Sequence, residues 1–242
     1  LKRPESRAVL ARLVSGADAV VHNMRPKAAE PLGLNYEQLV RIKPDLVYAF
    51  AAGYDQSGPN ANEPAYYDVD QAAAGVAALN ANASGEPRYL ATILCDKVGG
   101  LHLAIAVATG LAHRARTGQG CCIEVPMFES TVAFLLSEQL GGETFVPALG
   151  PTGYDRLAAP NRKPYRTQDG FMAILPYNGA HWAAFFEIIG RAEFAQSPQV
   201  QDPVLRSQSV DSLYAIIAEV APTRTTAAWL ASLRAADIPC AR

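Results

Sequence analysis

Val9, Leu10, Leu13 and Val14 recur at helical spacing, so the pattern predicts a helix over Pro4–Ser15 that Gly16 ends. The short apolar run 17–22 then predicts a buried parallel strand. Asn23-Met24-Arg25-Pro26 is the loop at its C-terminal end, where open α/β sheets place ligands. A helical pattern over Tyr36–Ile42 is followed by a second strand-like run, Leu46-Val47-Tyr48-Ala49-Phe50. Strand, helix, strand is the rhythm of a parallel sheet, which sets the fold class as α/β. Asp68–Leu79 resumes a helical pattern, and the apolar run 90–94 predicts a strand or turn leading to Asp96. The helix expected over Val98–Arg116 is apolar nearly all round, so it should lie inside, against a sheet or a partner chain. Cys121–Val125 reads as a strand and Met127–Leu140 as a further helix.

Beyond a Gly- and Pro-rich stretch at 141–164 the pattern changes. Tyr165–Thr167 and Phe171–Leu175 suit two antiparallel strands around a Gln168-Asp169-Gly170 turn. Helices are expected over His181–Ile189, Ser209–Val220 and Thr226–Ala235, with Trp182, Phe185, Phe186, Trp229 and Leu233 toward a core. The expected organisation is a large α/β domain over 1–140, a linker over 141–164 and a smaller α+β domain over 165–242.

Composition narrows the function classes. The chain has 242 residues, half of them hydrophobic, enough to bury a core in one large or two smaller domains. A net charge of -2 gives no electrostatic footprint for nucleic acid. No uninterrupted apolar run reaches the roughly 20 residues that span a bilayer, and Leu1-Lys2-Arg3-Pro4-Glu5 lacks the apolar core of a signal peptide. The first residue is not Met, so the chain is read as part of something longer. Four scattered cysteines without a C-x-x-C pair, and four dispersed histidines, point to no metal site and to a reducing cytoplasm.

Asp96 is the only carboxylate between Glu86 and Glu124, at the start of the long apolar helix. It suits a helix N-cap, whose oxygen accepts the first N–H groups. It equally suits a catalytic carboxylate in a closed pocket, since a helix start supplies positive potential and Gly99-Gly100 lets backbone approach. Lys97 keeps Asp96 charged or faces solvent. Asp68 and Asp70 read as capping groups at the next helix start, and Tyr66 and Tyr67 either line a pocket or pack. His22, His102 and His113 read as structural histidines. Arg25 and Lys27 either meet phosphate or are solvated.

Several segments together resemble the family III CoA-transferases. The carriers are 17–26, Leu32-Gly33-Leu34-Asn35-Tyr36, Pro44-Asp45-Leu46-Val47-Tyr48, the Asp96 segment, Arg116-Thr117-Gly118-Gln119-Gly120, Arg224–Leu230 and Ile238-Pro239-Cys240, in that order. The resemblance implies a Rossmann-like large domain, a smaller closing domain, and two chains interlocked as a homodimer, with further segments at both ends. It implies acyl-CoA and a free carboxylic acid as substrates and no resident cofactor. Asp96 then matches the family's nucleophile, and Lys2, Asn23, Met24, Arg25 and Pro64, Ala65, Tyr66, Tyr67 match CoA-contacting segments. A related racemase shares the aspartate but pairs it with a histidine just before the Asp68 helix. Tyr67 stands there, a poor base near neutral pH, which favours transfer over racemisation. The alternatives are such a racemase and a domain that only binds CoA.

Overall fold

The computed structural model describes residues 3–61, 63–81 and 85–242. Two compact units divide the chain, Leu1–Ser137 and Glu138–Arg242.

In the first unit three parallel strands lie in chain order: β1 (Ala19–His22), β2 (Val47–Ala52) and β3 (Cys121–Pro126). Ala19 pairs with Val47 and Val47 with Cys121, so the strands start level and their C-terminal ends come out on one side. The helix α1 (Pro4–Ser15) precedes β1, and the short helices α2 (Pro26–Ala29) and α3 (Tyr36–Leu39) connect β1 to β2. Asn35 caps α3 by accepting the Gln38 N–H at 3.1 Å. Val14, Leu39, Leu46, Tyr48, Phe50 and Ala52 form the core on one side of the sheet.

The β2–β3 crossover holds α4 (Tyr67–Ala73), α5 (Val76–Leu79) and α6 (Leu94–Thr117). Gly75, at φ 86°, breaks the single helix expected over 68–79 into α4 and α5. No strand forms at 90–94; the stretch bends and α6 begins at Leu94, four residues before the expected Val98. The 24-residue α6 lies along β2 and β3. Gly110 makes that close: a Cβ there would stand 2.7 Å from Val47 Cγ1. The helix lies against the sheet, as expected, and within the single chain its far side is open, with Leu101 67% and Ile105 65% exposed. By length and composition alone α6 is also long and apolar enough to cross a membrane, a test that core helices of sheet proteins pass as well. The unit ends in α7 (Met127–Gln139), which runs across the division at Ser137.

The second unit includes the Gly- and Pro-rich 141–164 stretch, which holds a short helix, α8 (Asp155–Ala158). Its sheet is β4 (Tyr165–Arg166), β5 (Phe171–Ile174) and β6 (Cys240–Ala241), antiparallel in that order. The third strand comes from the Ile238-Pro239-Cys240 segment, where no element was expected. The helices are α9 (Gly179–Ile188), α10 (Pro198–Gln201), α11 (Pro203–Gln208), α12 (Val210–Val220) and α13 (Thr226–Ala235). Trp182, Phe185, Phe186, Tyr214 and Trp229 fill the core between them. Thr225 caps α13 by accepting the Ala228 N–H, and Asp169 of the β4–β5 turn accepts the Thr226 N–H at 2.7 Å. The turn and the helix are thereby locked together.

Candidate active site

The C-terminal ends of β1 and β2 and the first turns of α4 and α6 surround a cavity of about 530 Å³ within the first unit. β1 leads into Asn23 and Arg25, β2 into Ala51–Gly53 and Gln56, and the approach to α4 supplies Pro64, Ala65, Tyr66 and Tyr67. α6 supplies Asp96, Gly99, Gly100 and Leu103. Of the nine residues singled out from the sequence, seven therefore meet at this cavity: Asn23, Arg25, Pro64, Ala65, Tyr66, Tyr67 and Asp96. Met24 is beside the cavity, half-buried, with its backbone N–H donated to His22 Nδ1 at 3.1 Å. Lys2 lies outside the described residues.

Asp96 is in the first turn of α6, not at its cap. Ile93 occupies the cap position and offers no capping side chain. Asp96 is exposed at the cavity and forms no ion pair among the described residues. Lys97 points back instead, donating from Nζ to Thr92 Oγ1 at 2.7 Å. Gly99 is buried against Met127, whereas a Cβ on Gly100 would meet nothing within 4 Å. Gly100 is among the residues that line the cavity.

Gly53 lies close against the 63–67 segment. A Cβ there would lie 2.2 Å from Ala65 Cβ, so only glycine lets the chain after β2 pass the 63–67 segment. Two carboxylates hold this loop from outside the cavity. Glu124 Oε1 accepts the Gln56 N–H at 2.7 Å, and Glu129 Oε1 accepts the Asp55 N–H at 3.1 Å. Burial raises the Glu124 carboxyl, partly offset by that Gln56 hydrogen bond. On the α4 side, Gln71 is fully buried and accepts the Leu90 N–H at 2.9 Å, tying α4 to the segment that feeds α6.

Asp70 departs from its expected capping role. Tyr66 is the cap residue of α4, and Asp70 lies inside the first turn with 0% exposure. Neither carboxylate oxygen finds a hydrogen-bond partner among the described residues. Burial, then Asp96, then Glu129 push its pKa up to about 6. A buried carboxyl thus stands close enough to Asp96 for the two charges to repel.

A second pocket of about 280 Å³ adjoins the first and shares Arg25, Gln56 and Ala61 with it. Its own lining adds Pro26, Lys27 and Ala28, which puts two cations beside one long groove. Among the described residues no group of three or more His, Cys, Asp or Glu side chains is placed to hold a metal ion. Gln56, Glu63, Leu103 and Met127 line the cavity and were not singled out from the sequence.

A family model described as CoA-transferase family III matches residues 1–242. The acetyl-CoA:oxalate CoA-transferase of Acetobacter aceti is 32% identical over 247 residues, covering 99% of this chain and 62% of the relative. The formyl-CoA:oxalate CoA-transferase of Escherichia coli is 27% identical over 263 residues, covering 99% of this chain and 63% of the relative. A crystal structure of a CAIB/BAIF family protein from Brucella suis aligns with a TM-score of 0.78 at 26% identity, covering 99% of this chain and 64% of that one. The chain thus spans less than two thirds of the length of these relatives.

Proposed function

Because this chain belongs to CoA-transferase family III, we propose that it carries the nucleophile and much of the CoA site of an enzyme that moves CoA from an acyl-CoA to a free carboxylic acid. The observation that carries this is the exposure of Asp96 at a cavity that also gathers Asn23, Arg25 and 64–67, on a helix turn with no capping side chain. Arg25 and Lys27, in the adjoining groove, are the cations for the CoA phosphates. The 530 Å³ cavity takes the thioester end.

The chemistry follows from a carboxylate acting as a nucleophile. An Asp96 oxygen attacks the thioester carbonyl, the C–S bond breaks, and CoA leaves as the thiolate, giving a mixed anhydride. The thiolate attacks the aspartyl carbonyl and expels the donor carboxylate, leaving an aspartyl-CoA thioester. An acceptor carboxylate then runs the two steps in reverse and departs as its CoA thioester, with Asp96 regenerated. Every step exchanges one acyl–oxygen or acyl–sulfur bond for another and needs no net proton. The oxyanion of each tetrahedral stage needs N–H donors and a dry site. The N–H groups of the α6 first turn that have no intrahelical partner, beside Asp96 at the cavity, are the place for such donors. Two chains associating as a homodimer, and a cytoplasmic location, complete the proposal; the open apolar side of α6 supports the first.

The test is to incubate the protein with an acyl-CoA, quench with hydroxylamine and map the product by mass spectrometry. A hydroxamate on Asp96 that disappears in Asp96→Asn is expected. An unmodified Asp96 in a sample that binds CoA would rule out the covalent route.

A further inference from the structure

The Asn23-Met24-Arg25 loop is held by one imidazole, and its hydrogen bonds determine that ring's protonation state. Met24 donates its backbone N–H to His22 Nδ1 at 3.1 Å, so Nδ1 carries no proton. Tyr48 donates its only hydroxyl proton to the Leu34 carbonyl at 2.9 Å. The contact between His22 Nε2 and the Tyr48 hydroxyl can then only be donated by the imidazole. The relay runs from the Met24 N–H through a neutral Nε2–H histidine and the Tyr48 hydroxyl to Leu34. The ring is also clamped by packing, stacked on Phe50 at 5.8 Å and edge-on to Tyr48 at 5.3 Å between centroids.

We propose that His22 is a positioning residue for ligand binding: as the neutral Nε2–H tautomer it fixes the loop that presents Asn23 and Arg25 to the cavity. His22 does not line that cavity and acts only through Met24. The inference rests on the proposed CoA site for the identity of the ligand, and on the hydrogen bonds alone for the anchoring of the loop.

The surroundings keep the ring neutral. Burial holds the His22 pKa below its ordinary value. From β2 it faces Tyr48 and Phe50, and the Leu34 carbonyl beyond is taken up by the Tyr48 hydroxyl. Glu37 and Cys122 act on Tyr48 rather than on the ring, and Arg25 follows in the loop itself. A proton on Nδ1 would replace an acceptor by a donor opposite the Met24 N–H and release the loop.

Two substitutions separate the anchor from general packing. His22→Phe keeps a ring on Phe50 but removes the acceptor. His22→Asn places a carbonyl where it accepts the N–H two residues on, the geometry of an Asx-turn. The measurements are CoA binding by calorimetry and exchange of the Met24 amide by NMR. His22→Phe is expected to raise the Kd for CoA about tenfold, the scale of one ordering hydrogen bond, and to speed Met24 exchange. His22→Asn is expected to recover most of both. Unchanged CoA affinity in His22→Phe overturns the inference while leaving the proposed transferase role intact. Should the unsubstituted chain bind no CoA, that role falls, and Met24 exchange alone decides the anchor. Faster exchange in His22→Phe that His22→Asn reverses supports it, and unchanged exchange overturns it.

Discussion

Replacing Asp70 by Asn should make the chain more stable relative to the parent as pH rises. Asp70 is fully buried, without hydrogen-bond partners among the described residues, and near two other carboxylates, Asp96 and Glu129. Its pKa is pushed up to about 6 from an unfolded value of 3.8. The folded chain therefore binds this proton more tightly than the unfolded chain. The associated stability is fully present below pH 3.8 and is lost as pH rises through about 6. A shift of about 2 units corresponds to about 3 kcal/mol, or about 6–12 °C in Tm at about 2–4 °C per kcal/mol. Asn is neutral throughout, so the parent should lose most of this amount against Asp70→Asn between pH 4 and pH 8, mainly below pH 6.

Thermal or urea unfolding of both proteins across that range is the assay, read as the difference between them. Carboxylates such as Asp18, Asp45 and Asp169, held low by their partners, contribute equally to both and cancel. The new amide's own fit shifts the difference by a constant and leaves the slope alone. Asp96→Asn should flatten the parent's slope, because Asp96 is the larger of the two charges acting on Asp70. A difference that stays constant from pH 4 to pH 8 would refute the raised pKa of Asp70.

Two further outcomes follow from packing. Trp229→Ala should destabilise the second unit by about 3–5 kcal/mol in urea unfolding, since Trp229 is fully buried and donates Nε1–H to the Ala221 carbonyl at 2.9 Å. Gly53→Ala should raise the Kd for CoA in calorimetry while circular dichroism stays native, because its Cβ would meet Ala65 Cβ at 2.2 Å and push the 63–67 wall aside.

The sheet strands were legible because each is a short apolar run between turn formers, and β1, β2 and β3 fall within a residue or two of expectation. The run at 90–94 shows the limit of that signal. A few apolar residues fit a buried strand and the first turn of a helix equally well. Asp96 was visible because it stands alone in an apolar stretch, and Asn23, Arg25 and 64–67 through the family resemblance. Asp70 was misjudged for a physical reason. An Asp near a helix start caps far more often than it hides, and this one is buried where α4 packs on α6, more than twenty residues further along the chain. The His22 relay was equally out of reach, since it needs Tyr48 and Leu34 at known distances. The cavity residues Leu103 and Met127 carry no chemical label, so only the fold could place them.

The open side of α6 yields a test of assembly. Its apolar residues run all round, yet within the single chain the sides toward β2, β3 and α4 are covered while Leu101 and Ile105 stay largely exposed. Burying a side chain of this size stabilises by about 1.5–3 kcal/mol, which is about 10- to 150-fold in a dissociation constant. If a second copy covers this side, Ile105→Glu removes that gain in each copy and adds a buried charge. Light scattering after size exclusion should then find a dimer in the parent and a monomer in Ile105→Glu at the same concentration, with α6 still formed. A parent dimer that Ile105→Glu leaves intact would show that another surface holds the copies together. A parent monomer whose stability Ile105→Glu does not change would show that this side faces water, and the pairing argument would fail with it.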